Sequence, residues 1–107
     1  VKHFKFVQRG KRRIHQRPNA SEIDHCRWWL AEELRLLNPR LVIALGATAA
    51  RAIFGRPLTI GASRGQIMSL SEGRSALVTT HPSFILRLPD PERRDAAFSA
   101  MVQDLVV

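Results

Sequence analysis

The sequence has little cysteine, few acidic residues and no long apolar run, and each shortage excludes a class of protein. A single cysteine, Cys26, leaves no internal disulfide and makes a reducing cytoplasm the expected location. No apolar run approaches the roughly 20 residues of a membrane-spanning helix, and no signal peptide is visible. The 107 residues, without repeats or low-complexity segments, therefore suit one domain that is expected to be monomeric and to have no membrane partner.

Acidic residues are outnumbered by basic ones. The chain has 9 Asp and Glu against 17 Lys and Arg, which gives a net charge of +8 and a pI near 11.5. Such a balance favours nucleic acid or another anionic surface as the partner. Nucleic acid is favoured here because the charge is concentrated near the N-terminus, whereas the helical stretches carry acids as well.

The densest positive charge lies in residues 9–15, RGKRRIH, whose ionisable members are Arg9, Lys11, Arg12, Arg13 and His15. This stretch cannot pack into a core, because each unpaired buried charge would cost several kcal/mol or more. Gly10 frees the backbone to turn, so a loop is predicted rather than a strand. Composition alone leaves two interpretations, a solvated basic loop or a phosphate-binding loop with a reactive imidazole at its end.

Two candidate ligands flank this basic stretch. Residues 1–7 alternate and predict a strand that contains His3, which is either a packed or surface residue or a metal ligand. Asn19 or Ser21 can cap a following helix that ends at Asn38-Pro39. Its predicted inward stripe is Ile23, Cys26, Leu30, Leu34 and Leu37. Cys26 is then either a buried structural cysteine or a ligand.

The rest of the chain predicts an α/β pattern. Residues 40–45 form a near-continuous apolar run, typical of a central parallel strand covered on both faces. Residues 47–54 predict a short helix closed by Gly55, and strands are predicted over 66–70 and 75–80. Gly46 alone is neither a P-loop nor a dinucleotide fingerprint.

The last part of the chain contains a turn and a closing helix. Arg64-Gly65 predicts a turn, and Asp90 can cap a final helix with Pro91 at its first position. The predicted inward residues of this helix are Ala97, Phe98, Met101 and Leu105.

His81 comes directly after the predicted strand 75–80. Pro82 redirects the chain, and Ser83 could cap a helical turn. Functional residues often lie at the carboxyl ends of strands in open α/β sheets, so His81 is either a functional residue or a histidine merely buried at a strand end.

Several segments resemble the uracil-DNA glycosylase superfamily, over nearly the whole chain. VKHFKF and GKRRIH, at residues 1–6 and 10–15, resemble the signature loop of the UdgX class, which belongs with the iron–sulfur, family 4 branch. HPSFILR at 81–87 resembles the motif His-Pro-Ser-x-x-Leu-Arg, and LGATAA at 45–50 resembles a scaffold segment of the family. The resemblance implies a three-layer α/β/α sandwich with a mostly parallel central sheet. Residues 1–107 are expected to be the C-terminal portion of one such domain, with its N-terminal part missing.

The same resemblance implies roles for individual residues. The implied activity is excision of uracil from DNA, with His81 contacting the uracil carbonyl oxygen and His15 forming a covalent bond to the sugar carbon. Ser83 would support the DNA backbone or His81, and Arg87 would enter or prop open the base stack. The basic residues expected to hold the phosphates are Arg9, Lys11, Arg12 and Arg13. Uracil-containing DNA is the expected partner, with single strands accepted.

An iron–sulfur cluster is also implied. IDHCRWWL at 23–30 resembles the segment that carries the last cluster cysteine, and His3 stands where family 4 enzymes have another. His3 and Cys26 are therefore expected to bind a [4Fe–4S] cluster, with two further ligands in the missing N-terminal part. Trp28 replaces the usual proline of this segment, and Phe84-Ile85 replaces smaller or aliphatic residues in the His81 motif.

Two other functions remain open from the sequence. Relatives carry upstream a Gly-Glu-x-Pro-Gly type motif, a uracil-stacking aromatic residue and a base-reading asparagine, and none of them occurs in this sequence. A non-catalytic nucleic-acid-binding module of the same fold is therefore the main alternative. The other is a structural domain of a phage-type DNA-polymerase-related protein.

Overall fold

The computed structural model describes residues 5–106, which form an α/β fold with a two-stranded and a three-stranded sheet. In chain order the elements are β1 (Phe6–Arg9), β2 (Arg12–His15), α1 (Ala20–Leu37), β3 (Leu41–Leu45), α2 (Ala47–Phe54), α3 (Ile60–Ser63), β4 (Ile67–Ser69), β5 (Ser75–Thr79), α4 (Pro82–Arg87) and α5 (Pro91–Leu105). The predicted α/β class is confirmed. In this part of the chain no helix is both long enough and apolar enough to cross a membrane.

The basic stretch is a β-hairpin, so the prediction of a loop was wrong. β1 and β2 pair antiparallel from Phe6 with His15 to Arg9 with Arg12. Gly10, at φ +59°, and Lys11 make the two-residue turn that a tight hairpin requires. Every residue of both strands is exposed. The charge pattern correctly excluded burial, but a two-stranded ribbon in water satisfies that requirement as well as a loop does.

The predicted first strand extends further along the chain than expected. β1 runs from Phe6 to Arg9, beyond the predicted end at residue 7. Residues 1–4, including His3, lie outside the described part of the chain.

Glu22 joins the hairpin to α1. The Asn19 side chain accepts from the Glu22 backbone N–H at 2.9 Å, and the Glu22 carboxylate accepts from the Asn19 N–H at 3.1 Å. Of the two predicted caps, Asn19 and Ser21, the capping box confirms Asn19. The same carboxylate accepts from Lys5 Nζ at 2.7 Å, so one side chain fixes both the helix start and the base of the hairpin.

α1 packs against α2 through fewer residues than predicted. Ile23 is buried, Cys26, Leu30 and Leu34 are half-buried, but Leu37 is 77% exposed. Arg27 Nε donates to the Ala52 carbonyl of α2 at 2.9 Å. The predicted inward stripe therefore ends one turn early, since α1 extends beyond the eight residues of α2.

The three-stranded sheet has the order β3-β5-β4, with β3 parallel and β4 antiparallel to β5. Ala44 and Val78 form the core on one face with Ala50 of α2. β5 is buried, as predicted. β3 is an edge strand, however, and its side chains Leu41, Ile43 and Leu45 are exposed on the other face. The prediction that β3 is covered on both faces was therefore wrong in the described structure.

α5 covers the opposite face of β5 and completes three layers. Asp90 caps this helix by accepting from the Glu92 N–H at 3.0 Å, as predicted. Ala97, Ala100 and Met101 are half-buried and Asp104 is buried, whereas Phe98 is 59% and Leu105 40% exposed. The predicted inward stripe was thus partly wrong, because the helix turns small residues and one carboxylate toward the sheet.

Candidate active site

A cleft of about 1170 Å³ lies at the carboxyl ends of β3 and β5. Parallel pairing of Leu45 with Thr79 ends both strands at the same edge of the sheet. Five parts of the chain line the cleft: His15, Arg17 and Pro18; Leu45 to Ala49; Ile60, Gly61 and Arg64; Thr80, His81, Ser83, Phe84 and Arg87; and Ala97 and Ala100. The cleft is therefore built from segments that are distant in sequence.

The cleft is positively charged. Arg17, Arg64 and Arg87 line it together with two histidines, and no aspartate or glutamate is among its lining residues. Such a wall favours an anionic ligand, because its positive side chains raise the local concentration of anions.

The His81 ring is held in one orientation by the backbone. Its Nδ1 accepts from the Ser83 N–H at 3.0 Å, which makes His81 the N-terminal cap of α4. The prediction that Ser83 is the cap was therefore wrong. A backbone N–H can only donate, so in the neutral ring the proton is carried by Nε2. His81 thus offers an N–H donor at the cleft.

Gly46 makes room for His81. The Gly46 N–H donates to the Thr79 carbonyl at 2.9 Å, which brings the start of α2 beside the end of β5. A Cβ at Gly46 would lie 3.1 Å from His81 Cβ, and its φ of +90° favours glycine. The sequence shows the glycine at position 46, but only the fold shows that His81 lies against it.

His15 is the last residue of β2 and reaches the cleft from the hairpin. Side chains alternate along a strand, so the pairing puts Phe6, Gln8, Arg13 and His15 on one face of the ribbon. The Arg13 guanidinium lies 4.9 Å from the centre of the Phe6 ring, in cation–π geometry. Arg9 and Arg12 lie on the opposite face.

The predicted site residues fall into three groups. His15, His81, Ser83 and Arg87 line the cleft together. Arg9, Lys11, Arg12 and Arg13 are exposed on the hairpin and do not line it. Cys26 is half-buried on α1, away from the cleft residues, and His3 is outside the described part.

The ligands of the predicted cluster are not assembled in the described part. Cys26 is in no disulfide, and residues 5–106 contain no group of three or more His, Cys, Asp or Glu side chains suited to a metal ion. A thiolate of Cys26 suits iron chemically. The described residues therefore fit one position of a cluster and do not complete one.

Sequence reasoning missed Asp104 and Thr80. Asp104 is buried beneath the cleft wall and accepts from Thr79 Oγ1 at 2.7 Å. The sequence could have indicated it, because Asp104 falls on the same helical face as the half-buried Ala97 and Met101. An acid on the inward face of a helix is buried and needs a hydrogen-bonding or charged partner. The Thr80 hydroxyl lines the cleft, is buried, and has no hydrogen-bond partner among the described residues.

Known proteins resemble this chain over most of its length. The model of the uracil DNA glycosylase superfamily matches residues 1–106. A type-4 uracil-DNA glycosylase of Thermotoga maritima is 32% identical over 78 residues, covering 72% of this chain and 41% of that protein. A type-5 uracil-DNA glycosylase of Pyrobaculum aerophilum is 36% identical over 69 residues, covering 63% and 30%. The type-4 enzyme of the same organism is 32% identical over 82 residues, covering 67% and 40%. The chain thus spans less than half the length of these relatives.

We expect Gly46→Ala to destabilise the protein more than Gly73→Ala. Gly46 lies at φ +90° and ψ +174°, a region almost confined to glycine, and Gly73 has a φ of +75°, so each substitution costs about 1–3 kcal/mol of backbone strain. Only at Gly46 would the new methyl group meet His81, since nothing lies within 4 Å of a Cβ at Gly73. Urea unfolding measures both free energies. Equal losses would contradict the close approach of Gly46 to His81.

Proposed function

This chain belongs to the uracil-DNA glycosylase superfamily, and on that premise we propose that it excises uracil from DNA. The observation that supports this most is the shared cleft of His15 and His81, which are 66 positions apart in sequence (81 − 15) yet line one cavity. A uracil nucleotide inside a duplex would have to leave the base stack to reach this cleft. A single-stranded substrate avoids that cost and is therefore the simpler one to test.

His81 is proposed to assist the departure of uracil. Cleavage of the C1′–N1 bond leaves its electron pair on the base, and negative charge spreads to the uracil carbonyl oxygens. A neutral His81, with Nδ1 bound to the Ser83 N–H, presents Nε2–H to such an oxygen. One fixed donor of this kind is typically worth about 2.7–4 kcal/mol of barrier.

His15 is proposed to capture the sugar, as the UdgX-like sequence of its hairpin implies. As the bond to uracil breaks, the lone pair of the unprotonated imidazole nitrogen forms a bond to C1′, and uracil departs as an anion. The proton on the second ring nitrogen then passes, through water, to the departed uracil anion, which leaves both products neutral. Nucleophile and leaving group must lie on opposite sides of the sugar. The two histidines approach the cleft from different elements, β2 and the end of β5, which suits that requirement.

The basic hairpin is proposed to hold the phosphate backbone. Its faces differ: Arg13 shares the His15 face and stacks on Phe6, whereas Arg9 and Arg12 point to the other side. Contacts to phosphate position a protein on DNA without reading sequence. Arg87 and Ser83, which line the cleft, would contact the strand near the extruded nucleotide.

The iron–sulfur cluster remains part of the proposal. Cys26 and His3 are the two ligands that this chain would contribute, and a complete cluster needs two more. When bound, the cluster would act as a structural cross-link between the segment around His3 and helix α1. Cys26 does not line the cleft, and the proposal assigns the cluster no step in the reaction.

A non-catalytic DNA-binding module is the second candidate function. The exposed basic hairpin and the arginine-lined cleft would bind DNA without any bond cleavage. The matched part of each relative is 41% or less of its length, and this candidate function needs no activity carried over from the relatives.

We expect the full-length protein to form a covalent complex with a uracil-containing single-stranded oligonucleotide. The complex should survive heating in detergent, because the bond to C1′ is covalent, and should disappear in His15→Ala. His25→Ala is the matched control, since His25 is exposed on α1 and does not line the cleft. A denaturing gel measures the shifted band.

The outcomes of that gel separate the candidate functions. An alkali-labile abasic product without a shifted band would support ordinary glycosylase activity and exclude capture by His15. Unchanged DNA, with binding retained in a native gel, would support the binding module.

We expect Cys26→Ser to lower the iron content of protein purified without oxygen. Serine keeps the size of the side chain but lacks the thiolate that iron prefers. Iron per chain and visible absorbance measure the loss. Wild-type protein free of iron, or a variant with unchanged iron, would contradict Cys26 as a ligand.

A further inference from the structure

A partly buried ion pair joins the last helix to the wall of the cleft. Arg64 Nε donates to Asp104 Oδ2 at 3.0 Å, and Arg64 Nη2 donates to Oδ1 at 3.2 Å. Thr79 Oγ1 donates to Oδ2 at 2.7 Å. Both carboxylate oxygens are therefore occupied, which is the condition under which a buried carboxylate is tolerated. This two-pronged geometry fixes the plane of the guanidinium.

The backbone at Gly65 is shaped around this carboxylate. A Cβ at Gly65 would lie 2.7 Å from Asp104 Oδ1, and its φ is +74°. The Gly65 N–H donates to the Val78 carbonyl at 2.9 Å, which attaches this turn to β5. The turn thus carries Arg64 past the sheet edge while leaving space for the carboxylate beneath it.

The two partners differ in their access to the cleft. The Arg64 side chain is 34% exposed and lines the cleft, whereas the Asp104 side chain is 10% exposed and does not. A guanidinium has five N–H donors. Asp104 accepts from two of them, and no other residue in 5–106 accepts from the Arg64 guanidinium. Up to three donors are therefore left on the partner that faces the cavity.

Arg64 differs in this respect from the other cleft arginines. Neither Arg17 nor Arg87 forms an ion pair within residues 5–106. Their side chains must lose conformational freedom on contact with a ligand. Arg64 is already fixed before a ligand arrives, which lowers the entropic cost of binding through it.

We infer that Arg64 is a further DNA-binding residue of this cleft and that Asp104 is its positioning residue. The inference rests on the proposed function. The remaining Arg64 donors bind a backbone phosphate of the strand whose nucleotide occupies the cleft, because phosphate accepts paired guanidinium donors. Since Asp104 partly balances the charge of Arg64, the affinity for phosphate depends largely on the fixed orientation of the Arg64 donors.

The test is the salt dependence of DNA binding by the full-length protein. Arg64→Met should lower affinity for a single-stranded oligonucleotide roughly tenfold, as for a lost charged hydrogen bond. It should also reduce the slope of log K against log salt by about 0.7, as for one lost phosphate contact. Arg40→Met removes the same charge before β3, roughly 16 Å from the cleft by strand length, and should leave the slope unchanged.

Two further variants separate positioning from charge and folding. Arg64→Lys keeps the charge but not the fork, so affinity should fall while the slope is retained. Asp104→Asn adds one net positive charge, yet affinity should fall because Arg64 is released. Thermal unfolding identifies variants that are simply unfolded. If Asp104→Asn is one of them, the affinity of Arg64→Lys decides whether the orientation of the guanidinium matters for binding.

The outcomes distinguish this inference from the proposed function. If the wild type binds thymine and uracil oligonucleotides and Arg64→Met behaves like Arg40→Met, Arg64 contacts no phosphate and the inference alone fails. If Asp104→Asn binds more tightly, Asp104 is not a positioning residue. If the wild type binds no DNA, both the proposed function and the inference fail.

Discussion

The candidate site depends on the parallel pairing of β3 with β5. Leu45 pairs with Thr79, so the two strands end at the same edge and release Gly46 and His81 side by side. The Gly46 N–H bond to the Thr79 carbonyl continues this pairing by one residue. Without that register, the start of α2 and the imidazole would not form one wall. A shift of one residue between them would turn the side chains of the shifted strand to the opposite face of the sheet.

Around this edge, polar contacts fix parts of the chain that apolar packing does not. The hairpin has no buried residue and is anchored to α1 by the Lys5–Glu22 pair. Asp104 anchors α5 to the turn at Arg64 and to β5. A partly exposed pair of the first kind contributes little stability, typically 1 kcal/mol or less. The Lys5–Glu22 pair therefore adds little free energy to the attachment of the hairpin that carries His15.

Local signals in the sequence predicted much of the fold. Asn19 and Asp90 cap the helices expected of them, and α2 ends at Gly55, because caps depend on residues within one turn. Burial was predicted less well. Phe98 and Leu105 are exposed and Asp104 is buried, because contacts with the sheet edge and with Arg64 determine which face of α5 points inward. No local pattern contains that information.

For the candidate site, the sequence predicted which residues belong to it better than it predicted their contacts in the structure. The resemblance selected His15, His81, Ser83 and Arg87, which line one cleft. It did not predict that His81 caps α4, because that contact requires the backbone of Ser83 to fold back on the ring. The hairpin was missed because its dense charge suggested a loop, so Gly10 and Lys11 were not recognised as the two-residue turn of a hairpin. Arg64 and Asp104 are separated by 40 positions, beyond the reach of any sequence spacing.

The most direct test of this account is the single-turnover rate of uracil release by His81→Ala. If His81 donates from Nε2 to the departing base, the rate should fall roughly 10²–10³-fold relative to the wild type. Binding of the uracil oligonucleotide should be retained, because the arginines and the hairpin are untouched. A variant that releases uracil at the wild-type rate would contradict the role assigned to His81 and to the cleft edge on which it lies.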